Sequence, residues 1–187
     1  MTDSLLDGPR VLGLDLAAEC SGVALPDGST LVIRAPRQAD RRRRTLADDL
    51  ARLDHVATVV EDLLDRHGVD LVVLEDYAPG IRSSAAHRLA EISGTVRRAC
   101  WRAESALALV SPSQLKYYAT GHGLASKQDM VDALAATGHP APATHDETDA
   151  WWLWAMGRDY LGAPVADVGP ARRAVLNRIT LDSGALW

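Results

Sequence analysis

The stretch Val11-Leu12-Gly13-Leu14-Asp15-Leu16 decides how the rest of the chain is read. It is a short apolar run that ends in a carboxylate, with Pro9 upstream and small residues downstream. Runs of this kind suit a strand buried on both faces. A central strand of an open α/β sheet can carry an acid at its carboxyl end, where such sheets place their ligands. Aspartate is also a common turn residue, so Asp15 alone could equally cap the turn at Ala17-Ala18-Glu19. Its weight comes from matching acids at the ends of other elements.

Outward from this run, Ser21 to Leu25 reads as a second strand. The turn Pro26-Asp27-Gly28-Ser29 returns Thr30 to Arg34 as a third, antiparallel strand. A polar, basic loop covers 35–44. Thr45-Leu46-Ala47-Asp48 resembles a capping box, and Leu46, Leu50, Leu53, Ala57, Val60 and Leu64 recur at helical spacing until Gly68 ends the helix. Leu71 to Glu75 is then a buried strand. A strand–helix–strand crossover makes it parallel to its partner, so beside the first strand it brings Glu75 to the same edge as Asp15.

A second helix is expected from Ser84 to Glu104. Gly94 inside it costs about 1 kcal/mol relative to alanine, which suggests a close backbone approach to another element or another subunit. Leu107 to Val110 forms a fifth strand. Ser111-Pro112-Ser113-Gln114 starts a short helix that carries Lys116, and Ser126-Lys127-Gln128-Asp129 starts the next. After a Pro-rich break, Thr144-His145-Asp146-Glu147 opens the last long helix, to about Leu161. The tail over 162–187 reads as an extension with a short basic helix near Pro170 to Ile179, bearing Arg172, Arg173 and Arg178. The pattern predicts an α/β fold with a five-stranded mixed sheet, three antiparallel strands then two parallel, flanked by helices.

At 187 residues the chain is long enough for one full core. No apolar run can span a bilayer and the N-terminus lacks a signal-peptide pattern, so no membrane association is expected. Cys20 and Cys100 have no metal-ligand spacing and read as reduced, buried thiols of a cytoplasmic protein. The net charge of −5 does not advertise a nucleic-acid binder. Charge is uneven, however: Arg34, Arg37 and Arg41, Arg42, Arg43, Arg44 form one basic cluster, and Arg97, Arg98 and Arg102 another. A patch matters more than the total where phosphates are the partner. Among so many arginines there are two lysines, Lys116 and Lys127.

Asp146 and Asp149 stand three apart at the start of the final helix and share a face that Leu153 and Met156 continue toward the core. Either acid could simply favour the helix N-terminus. With Asp15 and Glu75, though, four carboxylates would come from three elements. So many like charges need a counter-ion, and oxygen-only ligands favour Mg²⁺ or Mn²⁺ over zinc. Two such ions about 4 Å apart can activate a water and stabilise the leaving oxygen of a phosphodiester. His145 could assist at the site's edge or be simply solvated.

From Val11 to Tyr160 the chain resembles the RuvC family of Holliday-junction resolvases, within the RNase H-like nuclease superfamily. Gly13-Leu14-Asp15 matches the family's opening Gly-hydrophobic-Asp, with Gly22 at its later glycine; Leu16-Ala17 replaces the usual Pro-Gly. Pro112-Ser113-Gln114-Leu115-Lys116, then Gly121-His122-Gly123-Leu124-Ala125-Ser126-Lys127, is similar to the family's Pro-x-x-hydrophobic-Lys…Gly-x-Gly-x-Ala-x-Lys segment. Asp146-Glu147-Thr148-Asp149-Ala150 matches the closing Asp-x-x-Asp-Ala.

The resemblance implies a nuclease domain over 1–161, a homodimer formed partly through the helix around Gly94, and metal-dependent nicking of paired strands at a four-way DNA junction. It implies Asp15, Glu75, Asp146 and Asp149 as catalytic, metal-holding acids for two Mg²⁺ or Mn²⁺ ions. Lys116, Lys127, Tyr77 and Arg82 would contact DNA, and a branch-migration motor could be a partner. The phenylalanine that family members often carry three residues after the second acid is replaced by Ala78, and Tyr77 could supply the stacking face instead.

Three other readings share some of these features. An RNase H-like nuclease acting on RNA or other branched DNA would keep the acids but lack the Lys116–Lys127 segment. The turn from Asp15 to Gly22 also resembles the phosphate loop of actin-like ATPases and sugar kinases, whose second nucleotide-binding half has no counterpart after Leu161. A non-catalytic junction binder would have no need to gather acids where phosphates dock.

Overall fold

A computed structural model describes residues 8–36, 45–76, 84–140 and 142–182. The strands are β1 (Val11–Asp15), β2 (Cys20–Ala24), β3 (Thr30–Arg34), β4 (Leu71–Glu75), β5 (Ala106–Val110) and β6 (Thr180–Asp182). They form one sheet in the order β3-β2-β1-β4-β5-β6. β1 runs antiparallel to β2 and parallel to β4, β2 antiparallel to β3, and β4 parallel to β5. The sheet therefore has six strands rather than the five expected. The extra strand comes from the tail and pairs antiparallel with β5, Leu109 opposite Thr180. Three residues at the end of an arginine-rich segment carry too little alternation to announce a strand.

The helices are α1 (Leu46–His67), α2 (Ser84–Arg102), α3 (Pro112–Thr120), α4 (Lys127–Ala135), α5 (His145–Tyr160) and α6 (Gly169–Arg173), the last continuing as a 3₁₀ turn over Ala174–Arg178. Of the capping boxes expected for α1, α3 and α5, the first two are formed, and α4 has one as well. At α5, Thr144 caps the Glu147 amide as expected. The Glu147 carboxylate, though, accepts the hydroxyls of Thr144 and of Thr30 on β3, at 2.9 and 3.1 Å.

Alternation along the strands divides the core in two. Leu12, Leu14, Val72 and Leu74 face one way, into a cluster with Val56, Val60, Ile92 and Val96 of α1 and α2. Val11, Leu71, Val73 and Val110 face the other way, toward α5, α3 and the tail. Within α5, every residue from Trp151 to Asp159 is buried. A helix enclosed on all sides is a core element rather than a surface one. Its two ionic groups there have partners: Arg158 donates to the Pro9 carbonyl at 3.0 Å, and Asp159 accepts from Tyr118 and Arg173.

Glycine lets α5 come this close. A Cβ on Gly13 would lie 2.2 Å from the Ala150 carbonyl oxygen, and one on Gly22 would lie 2.0 Å from that of Asp146. From the helix side, a Cβ on Gly157 would strike Val11 and Val73, each at 2.6 Å. By contrast, a Cβ on Gly94 of α2 would meet nothing within 4 Å. No element among the described residues of the same chain therefore accounts for that glycine.

Gly22→Ala should thus destabilise the protein by about 3 kcal/mol, because the obstacle is helix backbone that cannot step aside. Gly94→Ala should add about 1 kcal/mol to the subunit's own stability through helix propensity. Urea titrations of the two variants beside the parent check both signs.

Candidate active site

Parallel pairing of β1 with β4 places Leu14 opposite Leu74, so Asp15 and Glu75 follow side by side at the carboxyl edge of the sheet. Both belong to the alternating set that faces α5. There the N-terminal turns of α5 present Asp146 and Asp149, seated against β2 and β1 by the glycine contacts. The four acids expected from the sequence thus lie at one end of the fold, on three elements.

Their electrostatics reflect this proximity. Burial pushes the Asp15 carboxyl well above its ordinary range, and the charges of Glu75, Asp149 and Asp146 push it further. Glu75 is pushed up to about 7, first by burial and then by Asp149, against the opposing pull of Lys116 and Lys127. Asp149 is also raised, chiefly by burial, with Asp146 adding to the effect and Lys127, Lys116 and His145 opposing it. Both lysines therefore act on the acids, Lys116 half-buried from α3 and Lys127 exposed at the first turn of α4. His145 is exposed at the start of α5.

The donor set consists of carboxylate oxygens alone, which fits a hard divalent cation. As the side chains stand, no group of three His, Cys, Asp or Glu among the described residues is arranged to hold a metal ion. Mutually repelling carboxylates would need a cation between them to be drawn together.

Two of the expected DNA contacts, Tyr77 and Arg82, lie outside the described residues, as do Arg37 and Arg41 to Arg44. Cys100 is buried as expected, its thiol pushed up to about 12 by burial. Cys20 is only half-buried, since it sits at the start of β2, where Arg34 donates to its Sγ at 3.7 Å.

The sequence reading missed three supports of the site. Glu147 ties the first turn of α5 to β3 through Thr30. Arg97 of α2 holds Asp76, the residue after Glu75, at 2.7 Å. Arg52 of α1 donates at 3.3 Å to the Ala18 carbonyl, in the turn that follows Asp15. Each pairs residues from separate elements, which local spacing does not reveal.

A mixed sheet of this order, with acids gathered at the carboxyl edge of its central strands under a buried helix, defines an RNase H-like fold. The family model of the crossover junction endodeoxyribonuclease RuvC matches residues 11–151. The chain belongs to that family. It is 28% identical to a RuvC crossover junction endodeoxyribonuclease of Clavibacter sepedonicus, over 94% of this chain and 90% of that one. It is 36% identical to the RuvC of Paenarthrobacter aurescens over 53% of each. Among solved structures, Thermus thermophilus RuvC in complex with a Holliday junction substrate superposes with a TM-score of 0.67 at 17% identity, covering 93% of this chain and 99% of that one. A second T. thermophilus RuvC structure gives 0.60 at 19%, covering 82% of this chain and 97% of that one. At such identities the structural likeness speaks for the fold.

The raised carboxyls have a consequence for stability. A Glu75 held near 7 when folded, against an ordinary 4.5, keeps a proton that the unfolded chain releases. Without metal, stability should therefore fall as pH rises from about 4.5 through about 7. In chelator, Glu75→Gln should melt above the parent at about pH 8 and level with it at about pH 4. A lower melting temperature at the higher pH would mean that the carboxylate is favourably paired instead.

Proposed function

We propose that the protein is a metal-dependent endonuclease that resolves four-way DNA junctions by paired nicking. The observation that carries this reading is the meeting of Asp15, Glu75, Asp146 and Asp149 at one sheet edge with Lys116 and Lys127 in electrostatic reach, in a chain of the RuvC family. The relatives described above are crossover junction endodeoxyribonucleases, which supports the same substrate.

In this reading the four acids hold Mg²⁺ or Mn²⁺, two ions per site. The metal, when bound, supplies an activated water and charge stabilisation for the leaving oxygen of the phosphodiester. The chain's own groups do the rest. Lys116 and Lys127 hold phosphate oxygens beside the acids, as compact cations do. Glu147 and the glycine contacts fix the backbone that carries the two acids of α5, so that gathering on a metal is left to the side chains. Tyr77 stacks on an unpaired base and Arg82 meets the backbone.

Paired nicking requires two sites, and we place the second on another copy of the chain. Gly94 has open space above it. Trp101 on the same helix is 63% exposed, as are Leu46 and Leu50 of α1 at 74% and 56%. These residues fit a homodimer face along α1 and α2. A branch-migration motor is a further partner in this scheme, and the compartment is the cytoplasm. No helix among the described residues is long and apolar enough to cross a membrane.

The test compares four-way junction, duplex, flap and RNA–DNA hybrid with and without Mg²⁺. Paired nicks in the junction alone are expected, abolished by Asp15→Asn or Asp149→Asn while junction binding persists. Cleavage of the hybrid in preference to the junction would favour an RNA-directed nuclease. Junction affinity should fall steeply with ionic strength, as it does when Lys and Arg displace counter-ions from phosphates. In sedimentation, Trp101→Glu should shift the protein from dimer toward monomer.

A further inference from the structure

The tail over 163–182 has no part in the reading above, yet it grips the helix that carries Lys116 at both ends. Arg172 Nε donates to the Tyr118 carbonyl at 2.7 Å, and a second guanidinium nitrogen of Arg172 donates to the Ala119 carbonyl. These carbonyls belong to the last turn of α3, where a helix lacks partners of its own. The left-handed cap at Gly121 satisfies only Tyr117. At the other end, the Gln114 side-chain amide donates to the Arg178 carbonyl at 3.0 Å. Between these points Val175 and Leu176 join the buried cluster of Leu115, Tyr118 and Ala119.

A second link fixes the angle of the grip. Arg173 donates to the buried Asp159 of α5 at 2.9 Å, and the same carboxylate oxygen accepts the Tyr118 hydroxyl of α3 at 3.0 Å. β6 then locks the tail's register against β5. A helix of nine residues is marginal on its own in water, so its orientation is set by what holds it. Lys116 lies between the clamps, less than one turn from each, within electrostatic reach of Glu75 and Asp149.

We infer that Arg172 is a positioning residue for cleavage: by pinning the C-terminal turn of α3 it sets Lys116 against the phosphate to be cut. This rests on the nuclease reading, and it assigns a role in the reaction to a segment beyond the residues that match the family model. The guanidinium suits the task because its fixed fork reaches two neighbouring carbonyls at once and carries positive charge to a helix C-terminus.

The test uses full-length protein with Arg172→Ala, Arg172→Lys, Lys116→Ala and the Arg172→Ala/Lys116→Ala double variant. Single-turnover cleavage of a bound four-way junction is measured beside junction affinity. Arg172→Ala should slow cleavage at saturation about ten-fold or more, since small misplacements of a reacting partner are costly, with affinity nearly unchanged. Arg172→Lys, able to reach one carbonyl, should recover part of the rate. In the Lys116→Ala background Arg172→Ala should add less than about two-fold, the sign that both act through one group. Additive losses, or a loss of affinity alone, would overturn the inference.

Amide exchange gives a readout that needs no cleavage: Arg172→Ala should speed exchange over 115–120 and leave α5 unchanged. Uniform acceleration across the protein, or none in α3, would also overturn it. If Arg172→Ala does not fold, Arg172→Lys carries the same comparisons. A parent protein that fails to nick junctions would defeat the nuclease reading, whereas a parent that nicks and a double variant that is additive would defeat only the role of Arg172.

Discussion

The contact on which the site depends is backbone against backbone, between α5 and the strands β1 and β2. Where a side chain would normally hold a helix off a sheet, Gly13 and Gly22 leave hydrogen atoms only, and the carbonyls of Ala150 and Asp146 occupy the space. Helix–sheet separation is usually set by interdigitating side chains, which are forgiving of small changes. Here the spacing is set by rigid main chain at the very residues that adjoin two of the four acids. Packing and placement of the acids are therefore one property. Whatever lifts α5 from the sheet also moves Asp146 and Asp149 away from Asp15.

That arrangement works against itself electrostatically. Burial and mutual repulsion both oppose ionisation of Asp15, Glu75 and Asp149, and among the described residues Lys116, Lys127 and His145 push the other way. The lysines stand on separate short helices that reach the edge from outside the sheet. Two elements of modest length thus govern how much of the repulsion is offset, and their seating matters more than their size suggests.

Much of this was legible in the chain. The apolar runs ending in Asp15 and Glu75, the capping boxes, and the crossover that makes β4 parallel to β1 all depend on local chemistry and chain direction. They led to a mixed sheet of three antiparallel and two parallel strands, and, with β4 beside β1, to the shared edge. The acids of α5 were legible because residues three apart must share a helix face. What escaped the reading depends on partners distant in sequence. The Thr30–Glu147 bond spans two elements on opposite sides of the molecule's connectivity, and its glutamate looked like an ordinary capping residue. The sixth strand is short and borrows its order from β5 rather than from its own pattern. The arginines of the tail read as surface charge, because nothing in their spacing reveals that Arg172 ends on the carbonyls of α3. Gly94 went the other way: its cost in a helix was visible, while the absence of any described neighbour within the subunit was not.

The distribution of tryptophan carries an optical corollary. Among the described residues, Trp151, Trp152 and Trp154 are sealed within the layer around α5, whereas Trp101 is exposed on α2 of the single subunit. The enclosed indoles should emit at short wavelength and resist aqueous quenchers in every state, while Trp101 should emit to the red and be readily quenched in the monomer and be shielded in the dimer. Quencher titration would thus separate two populations from a single unlabelled sample. The accessible fraction would follow events on the outer helices, and the shielded fraction would change only when the interior itself gives way.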